Sequence, residues 1–245
     1  MKIGIQLYSV SGDFKKDNRA VIEALAGMGY RGLEFAFTFG SLSPTELADL
    51  LKTNGMETVG FYSANLENVL DRSDDIYRYS EWLKNPYVTV GSPGLLKDWD
   101  SAIAKIGEAG IAVRKSGMRL LYHNHMEEIN PLGKKPALSI LAERTDPGLV
   151  MLELDTHFIA KAGENPLEWL EKYRGRVPVL HVKDIKNDGS VAEAGEGILD
   201  MHEICRKAWE TGVEWLIVEF HLIDERTPME SAMLCFKNLS RFMEG

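Results

Sequence analysis

Eight short apolar runs, each followed by a longer amphipathic stretch, recur along the whole chain, and no other feature restricts the fold so tightly. The runs are IGIQLY (3–8), GLEFAF (32–37), ETVGFY (57–62), YVTVGS (87–92), MRLLYH (118–123), LVMLEL (149–154), VPVLHV (177–182) and EWLIVEF (214–220). Their β-branched and aromatic content suits strands buried on both faces of a parallel sheet. Between them apolar residues return at three- and four-residue spacing, as crossover helices require, over 18–29, 43–55, 98–116, 134–145, 165–174, 200–212 and 228–243. Ser43, Pro44 and Gly55 punctuate the second of these as N-cap, first-turn residue and C-terminal cap. In the unit 65–85, charges at Asp71 to Asp75 predict a short or interrupted helix.

Eight such units without a long linker predict an α/β protein with a single (β/α)8 TIM-barrel domain over 1–245. No G-x-G-x-x-G follows the first run, which argues against a doubly wound dinucleotide fold. A hydrophobic fraction of 44% is enough for a sizeable core. In a barrel of this kind the reactive residues belong at the C-terminal ends of the strands.

Composition removes several partners. The net charge is −9 and no Lys/Arg cluster stands out, so nucleic acid is not expected. Cys205 and Cys235 lack metal-type spacing and read as buried thiols. MKIGIQLYSV has no continuous apolar core like that of a signal peptide, and no run approaches the apolar length of a membrane span. A cytoplasmic protein with no membrane partner is the expectation.

Four consecutive strands deliver imidazoles and carboxylates to one rim. Strand five ends in His123, Asn124 and His125, strand six in Glu153 and Asp155, strand seven in His181 and Lys183, and strand eight in Glu219 and His221. Because side chains alternate along a strand, His123 and His125 share a side, as do Glu153 and Asp155, and His181 and Lys183. A single strand-end histidine is usually a hydrogen-bonded structural residue. The coincidence on neighbouring strands is what points to a cation, and mixed nitrogen and oxygen donors suit Mn²⁺, Co²⁺, Fe²⁺ or Zn²⁺.

The pieces IGIQLYS, MGYRGLEFA, YHNHMEE, LELDTHFIAKAGENPLEWLEKYRGRVPVLHVKD, GEGILD and VEF resemble the sugar phosphate isomerase/epimerase-like barrels, xylose isomerase-like TIM barrels that include the D-tagatose and D-psicose 3-epimerases. The likeness runs over essentially the whole chain and is nearest to members with a YHNH motif. It implies one divalent cation, Mn, Co, Zn, Fe or Mg, held by residues of strands five to eight. Three of those positions fall on Asp155, His181 and Glu219, and the fourth falls on His123, where the epimerases carry a glutamate. Either His123 is the fourth ligand, or it contacts substrate and His125 or Glu128 completes the site.

The resemblance implies a metal-dependent isomerase or epimerase acting on a carbohydrate or polyol through an enediolate. The close rival is a lyase or hydratase that eliminates water or a glycoside from a keto-sugar on the same site. Glu219, His123 or His125, and Glu153 are the candidate bases, and Lys183 is a candidate for balancing charge or for an ion pair with Glu153 or Glu219. Gln6, Tyr8, Glu34, His125, Glu128 and Glu196 are assigned to the substrate pocket. A DNA-repair endonuclease on the same barrel would need a basic rim and more than six histidines. A barrel that binds sugar without turnover is the non-enzymatic reading. The expected partner is a small carbohydrate, and a homodimer is the expected assembly.

Overall fold

The computed structural model describes residues 1–63, 65–71, 75–221 and 226–244. Its barrel strands are β1 (Lys2–Gln6), β2 (Gly32–Ala36), β3 (Glu57–Ser63), β4 (Tyr87–Val90), β5 (Arg119–His123), β6 (Val150–Asp155), β7 (Val179–Val182) and β8 (Trp215–Val218). Each pairs in parallel with the next, and β8 pairs with β1, so the sheet closes and leaves no edge. All eight predicted runs are strands: four end one or two residues early, two end where predicted and two run one residue further.

Tyr8 is the clearest shift: β1 stops at Gln6, and Tyr8 lies in a 3-10 turn, Leu7–Val10. Glu219 similarly stands one residue past β8. Helices fill the intervals as the periodicity requires. Ser43 caps the helix Pro44–Thr53 in a reciprocal pair with Glu46. In that helix Asn54 is the C-cap, and Gly55 follows it at φ 63, the left-handed turn that stops the helix. The 65–85 unit contains two helices, Leu66–Leu70 and Asp75–Leu83, while residues 72–74 of its charged break lie outside the described residues.

Two apolar layers hold the barrel. A large core joins strands to helices, and a smaller plug of Val59, Tyr87, Leu121, Met151, Val179, Trp215 and Ile217 fills the barrel interior. Packed plugs of this type cost about 2–5 kcal/mol per large-to-alanine change, so they give the polar rim above a rigid floor. Both cysteines are free and buried, and burial pushes each thiol up to about 12. Among the described residues no helix is long and apolar enough to cross a membrane.

Candidate active site

Parallel register sets Gln6 beside Glu34, His123 beside Glu153, and Asp155 beside His181. The C-terminal strand ends therefore converge on one buried cluster. His181 lies at its centre: Nδ1 donates to Glu219 Oε2 at 2.8 Å and Nε2 to Glu34 Oε2 at 2.8 Å. Burial disfavours the charged ring, but Glu153 and Glu34 outweigh it and hold the pKa well above the usual histidine value. Both nitrogens thus carry protons.

Lys183 is buried beside it, with Nζ 3.1 Å from Asp155 Oδ2 and 2.9 Å from Glu219 Oε2. Burial opposes the ammonium, and the two carboxylates more than compensate and raise its pKa. For Glu219, burial acts upward, while Lys183 and His181 hold the carboxyl well below the usual range. Glu219 is therefore ionised. Glu153 goes the other way, because burial and the adjacent Glu34 push it well above the carboxylate range. His123 is driven well below its usual value by burial, with His181 and His125 adding to the effect, so its imidazole is neutral.

The residues of this cluster suit a divalent cation. One nitrogen or oxygen each from His123, Asp155, His181 and Glu219 lies within 4.8 Å of the others. Asp155 Oδ2 faces the Lys183 ammonium at 3.1 Å, whereas His123 Nδ1, 3.3 Å from Glu153 Oε2 without an aligned hydrogen bond, is buried with no hydrogen-bond partner. Such atoms are costly to leave unmatched. Local hydrogen bonds fix the Asp155 carboxylate in a coordinating orientation. Its amide donates to Asn124 Oδ1 at 3.1 Å, and its Oδ1 caps the helix Thr156–Lys161 through Phe158 N at 3.1 Å. Only Oδ2 is left to face the cluster. A second set, Glu34, Glu153 and His181, shares the histidine and is a smaller candidate of the same kind.

Above the cluster opens a cavity of about 200 Å³. Gln6, Tyr8, His123, His125 and Glu219 line it, together with Phe37, Tyr62, Phe158 and His221. A larger depression of about 780 Å³ between Tyr77, Lys84, Pro86 and Met118 lies at the opposite end of the barrel, where β4 and β5 begin, far from the polar cluster.

Several assigned residues take other places. Glu34 is fully buried, accepting from Gln6 Nε2 at 3.2 Å as well as from His181, and sits under the cavity. Glu153 is equally deep, held by Thr89 Oγ1 at 3.3 Å. Glu128 turns back on its own loop, accepting from His125 N at 2.9 Å and Tyr122 Oη at 3.1 Å, so its carboxylate holds the YHNHMEE turn and does not reach the cavity. Glu196 faces the C-terminal helix Pro228–Glu244, taking a hydrogen bond from Asn238 Nδ2 at 2.9 Å. The glycines around Glu196 serve Asp184 instead: Gly197 comes so close that an added Cβ would lie 2.3 Å from Asp184 Oδ1. Lys183 pairs with Asp155 and Glu219, and not with Glu153.

The residues passed over in the sequence are the aromatic ones. Tyr62 and Phe37 end the third and second predicted strands, and the same C-terminal-rim rule that selected His123 would have selected them. Phe158 follows Asp155 by three residues, beyond the strand end proper.

Residues 22–239 match the family described as xylose isomerase-like TIM barrel. The chain belongs to that family. The inosose dehydratase of Clostridium beijerinckii is 28% identical over 142 residues, an alignment covering 50% of this chain and 47% of the relative. The chain spans about half the length of the curated relatives it matches. A crystal structure of a sugar phosphate isomerase/epimerase from Parabacteroides distasonis superposes with a TM-score of 0.82 at 19% identity, over 99% of this chain and 100% of that one. A probable 3-DHS dehydratase of Bacillus anthracis, involved in petrobactin synthesis, follows at TM-score 0.77 and 15% identity over 98% and 99%. At such identities the two structures share a fold with this chain and nothing finer.

Proposed function

We propose that this chain is a metal-dependent lyase that eliminates water from a small keto-polyol. The observation that carries the reading is the lining of the cavity: Glu219 is the one carboxylate among the described residues there, accompanied by the imidazoles of His123, His125 and His221. Epimerisation by the family's usual route uses two carboxylates on opposite faces of one carbon. Elimination needs an unlike pair, a base for the C–H and a donor for the departing oxygen. The likeness to inosose dehydratases supports the same choice.

His123, Asp155, His181 and Glu219 would hold the cation, with the Lys183 ammonium paired to Asp155 Oδ2 and Glu219 Oε2 beside it. A divalent cation bound there supplies Lewis acidity toward the substrate carbonyl. Glu219 Oε2 is committed to His181 and Lys183, whereas Oε1 is 3.9 Å from exposed His221 and is the oxygen that takes the proton α to the carbonyl. The electron pair of that C–H bond forms the C=C bond, the β C–O bond breaks, and His125 gives the hydroxide a proton, so water leaves. His125 suits this role by place, half-buried at the mouth with Nδ1 free of hydrogen bonds. Isomerisation or epimerisation shares the first step and is the alternative.

The test is incubation of the Mn²⁺-loaded chain with 2-keto-myo-inositol in D2O, following ultraviolet absorbance of the unsaturated ketone and deuterium uptake. The lyase reading expects the unsaturated product. Deuterium exchange without it would instead support an isomerase or epimerase.

A further inference from the structure

Phe37 occupies an unusual backbone position. Among the described residues only Phe37 (φ 63) and Lys84 (φ 55) are non-glycine residues with positive φ. Lys84 directly follows the helix Asp75–Leu83, where a left-handed residue is ordinary. Phe37 follows a strand and is bulky, so its conformation is a genuine outlier. Alternation from Phe35, a member of the strand–helix core, would carry Phe37 into the same layer. The left-handed turn breaks that alternation and sends the ring to the cavity instead.

The strain is held in place. Phe37 N donates to Tyr62 O at 3.0 Å. Two residues on, Phe39 is buried and stacked between Phe61 and Tyr79, with ring centroids 4.5 and 4.3 Å away. Phe37 is nevertheless 55% exposed, so a fixed position presents a large apolar ring to solvent. Edge-to-face contacts with Tyr8 at 5.8 Å and Tyr62 at 5.5 Å orient it.

The cavity therefore has a polar floor, with Gln6, His123 and Glu219, and an aromatic wall. Its ligand must match both. A six-membered ring bearing hydroxyls has a persistent C–H face and a polar edge, whereas an open chain loses rotational freedom to present the same surfaces. We infer that Phe37 is a specificity-determining residue whose ring packs on the C–H face of a cyclic polyol and selects it over open-chain ketones. This deepens the proposed function and rests on it.

The experiment is calorimetric titration of the Mn²⁺-loaded full chain with 2-keto-myo-inositol, a ring, and with L-erythrulose, an open chain, in wild type, Phe37→Gly and Phe37→Ala. Glycine accepts the left-handed turn freely, so in Phe37→Gly the relief of strain offsets the lost contacts with Tyr8 and Tyr62 and the added chain entropy, and its melting temperature should stay within about 4 °C of wild type. The wild type should favour the ring ketone about tenfold, and Phe37→Gly should weaken the ring ketone about 5–10-fold and L-erythrulose less than twofold. Phe37→Ala should lose the same selectivity and melt below Phe37→Gly. Wild-type binding of the ring ketone with equal binding by Phe37→Gly overturns the role of Phe37 alone. Equal weakening of both ketones does the same. Failure of the wild type to bind either ketone overturns this inference and the proposed function together.

Discussion

Replacing Lys183 by methionine keeps most of the side-chain volume and removes the charge that sits between Asp155 and Glu219. The ammonium is fully buried, 3.1 Å from one carboxylate and 2.9 Å from the other. Removing one partner of a buried ion pair costs about 3–5 kcal/mol, because the remaining charge is left uncompensated. Two carboxylates are exposed to that penalty here, so the upper part of the range applies. For a chain of this size each kcal/mol moves the melting temperature by about 2–4 °C, so a cost of about 4–5 kcal/mol sets an expected loss of roughly 8–20 °C in metal-free protein. Mn²⁺ at a hundred times its dissociation constant stabilises any protein that binds it by about 2.7 kcal/mol. In Lys183→Met the cation also supplies the missing positive charge, so the Mn²⁺-induced rise in melting temperature should exceed that of the wild type. Scanning calorimetry of EDTA-treated protein with and without MnCl₂ reads both quantities. A metal-free variant melting within about 2 °C of wild type would refute the burial argument, and a Mn²⁺ shift no larger than that of the wild type would refute the shared-ligand argument.

Two further outcomes follow from the same cluster and its surroundings. His181 is held as an imidazolium by Glu153 and Glu34, and a histidine binds a cation only through a neutral nitrogen, so metal entry displaces a proton. Since the folded pKa is raised, proton release is full at low and neutral pH and fades as pH rises through that value, and apparent affinity rises over the same span. Mn²⁺ titrations in buffers of different ionisation enthalpy should therefore differ near pH 7, and identical heats would exclude the displaced proton. Asp184→Asn removes the charge that accepts from Ile185 N at 2.8 Å, Gly195 N at 3.1 Å, Gly197 N at 3.0 Å and Leu199 N at 3.1 Å. An amide presents a donor to two of those donors, and a loss of about 2–4 kcal/mol in urea unfolding is expected. A loss below about 0.5 kcal/mol, the range of a neutral surface change, would show that the loop does not depend on Asp184.

Much of this was legible from local pattern. The eight strands follow from β-branched runs, and the helices from their spacing. The rim location of His123, Asp155, His181 and Glu219 follows from their standing at strand ends. The side-chain alternation that placed Glu153 with Asp155 and His181 with Lys183 is local geometry as well. What misled was depth. Glu34 and Glu153 stand near strand ends, as Gln6 and His123 do, yet only the latter two reach the cavity, because barrel tilt and stagger set the height of each strand end against its neighbours. Glu128 and Glu196 fell to a different cause: each had a closer partner, His125 N and Asn238, that loop closure brought within reach.

The sequence by itself determined the barrel and the chemical kinds of group at its rim, since periodicity of two and of 3.6 residues and the order of the units are written along the chain. Only the tertiary structure decided which groups meet. The pairing of Lys183 with Asp155 and Glu219 and the bridging of Glu34 and Glu219 by His181 join residues 28, 36, 147 and 38 positions apart. The turn that swings Phe37 out of the alternation set by Phe35 belongs to the same class, since a hydrogen bond from another strand holds it. Contacts between residues so far apart in the chain come from barrel closure, and no local pattern encodes them.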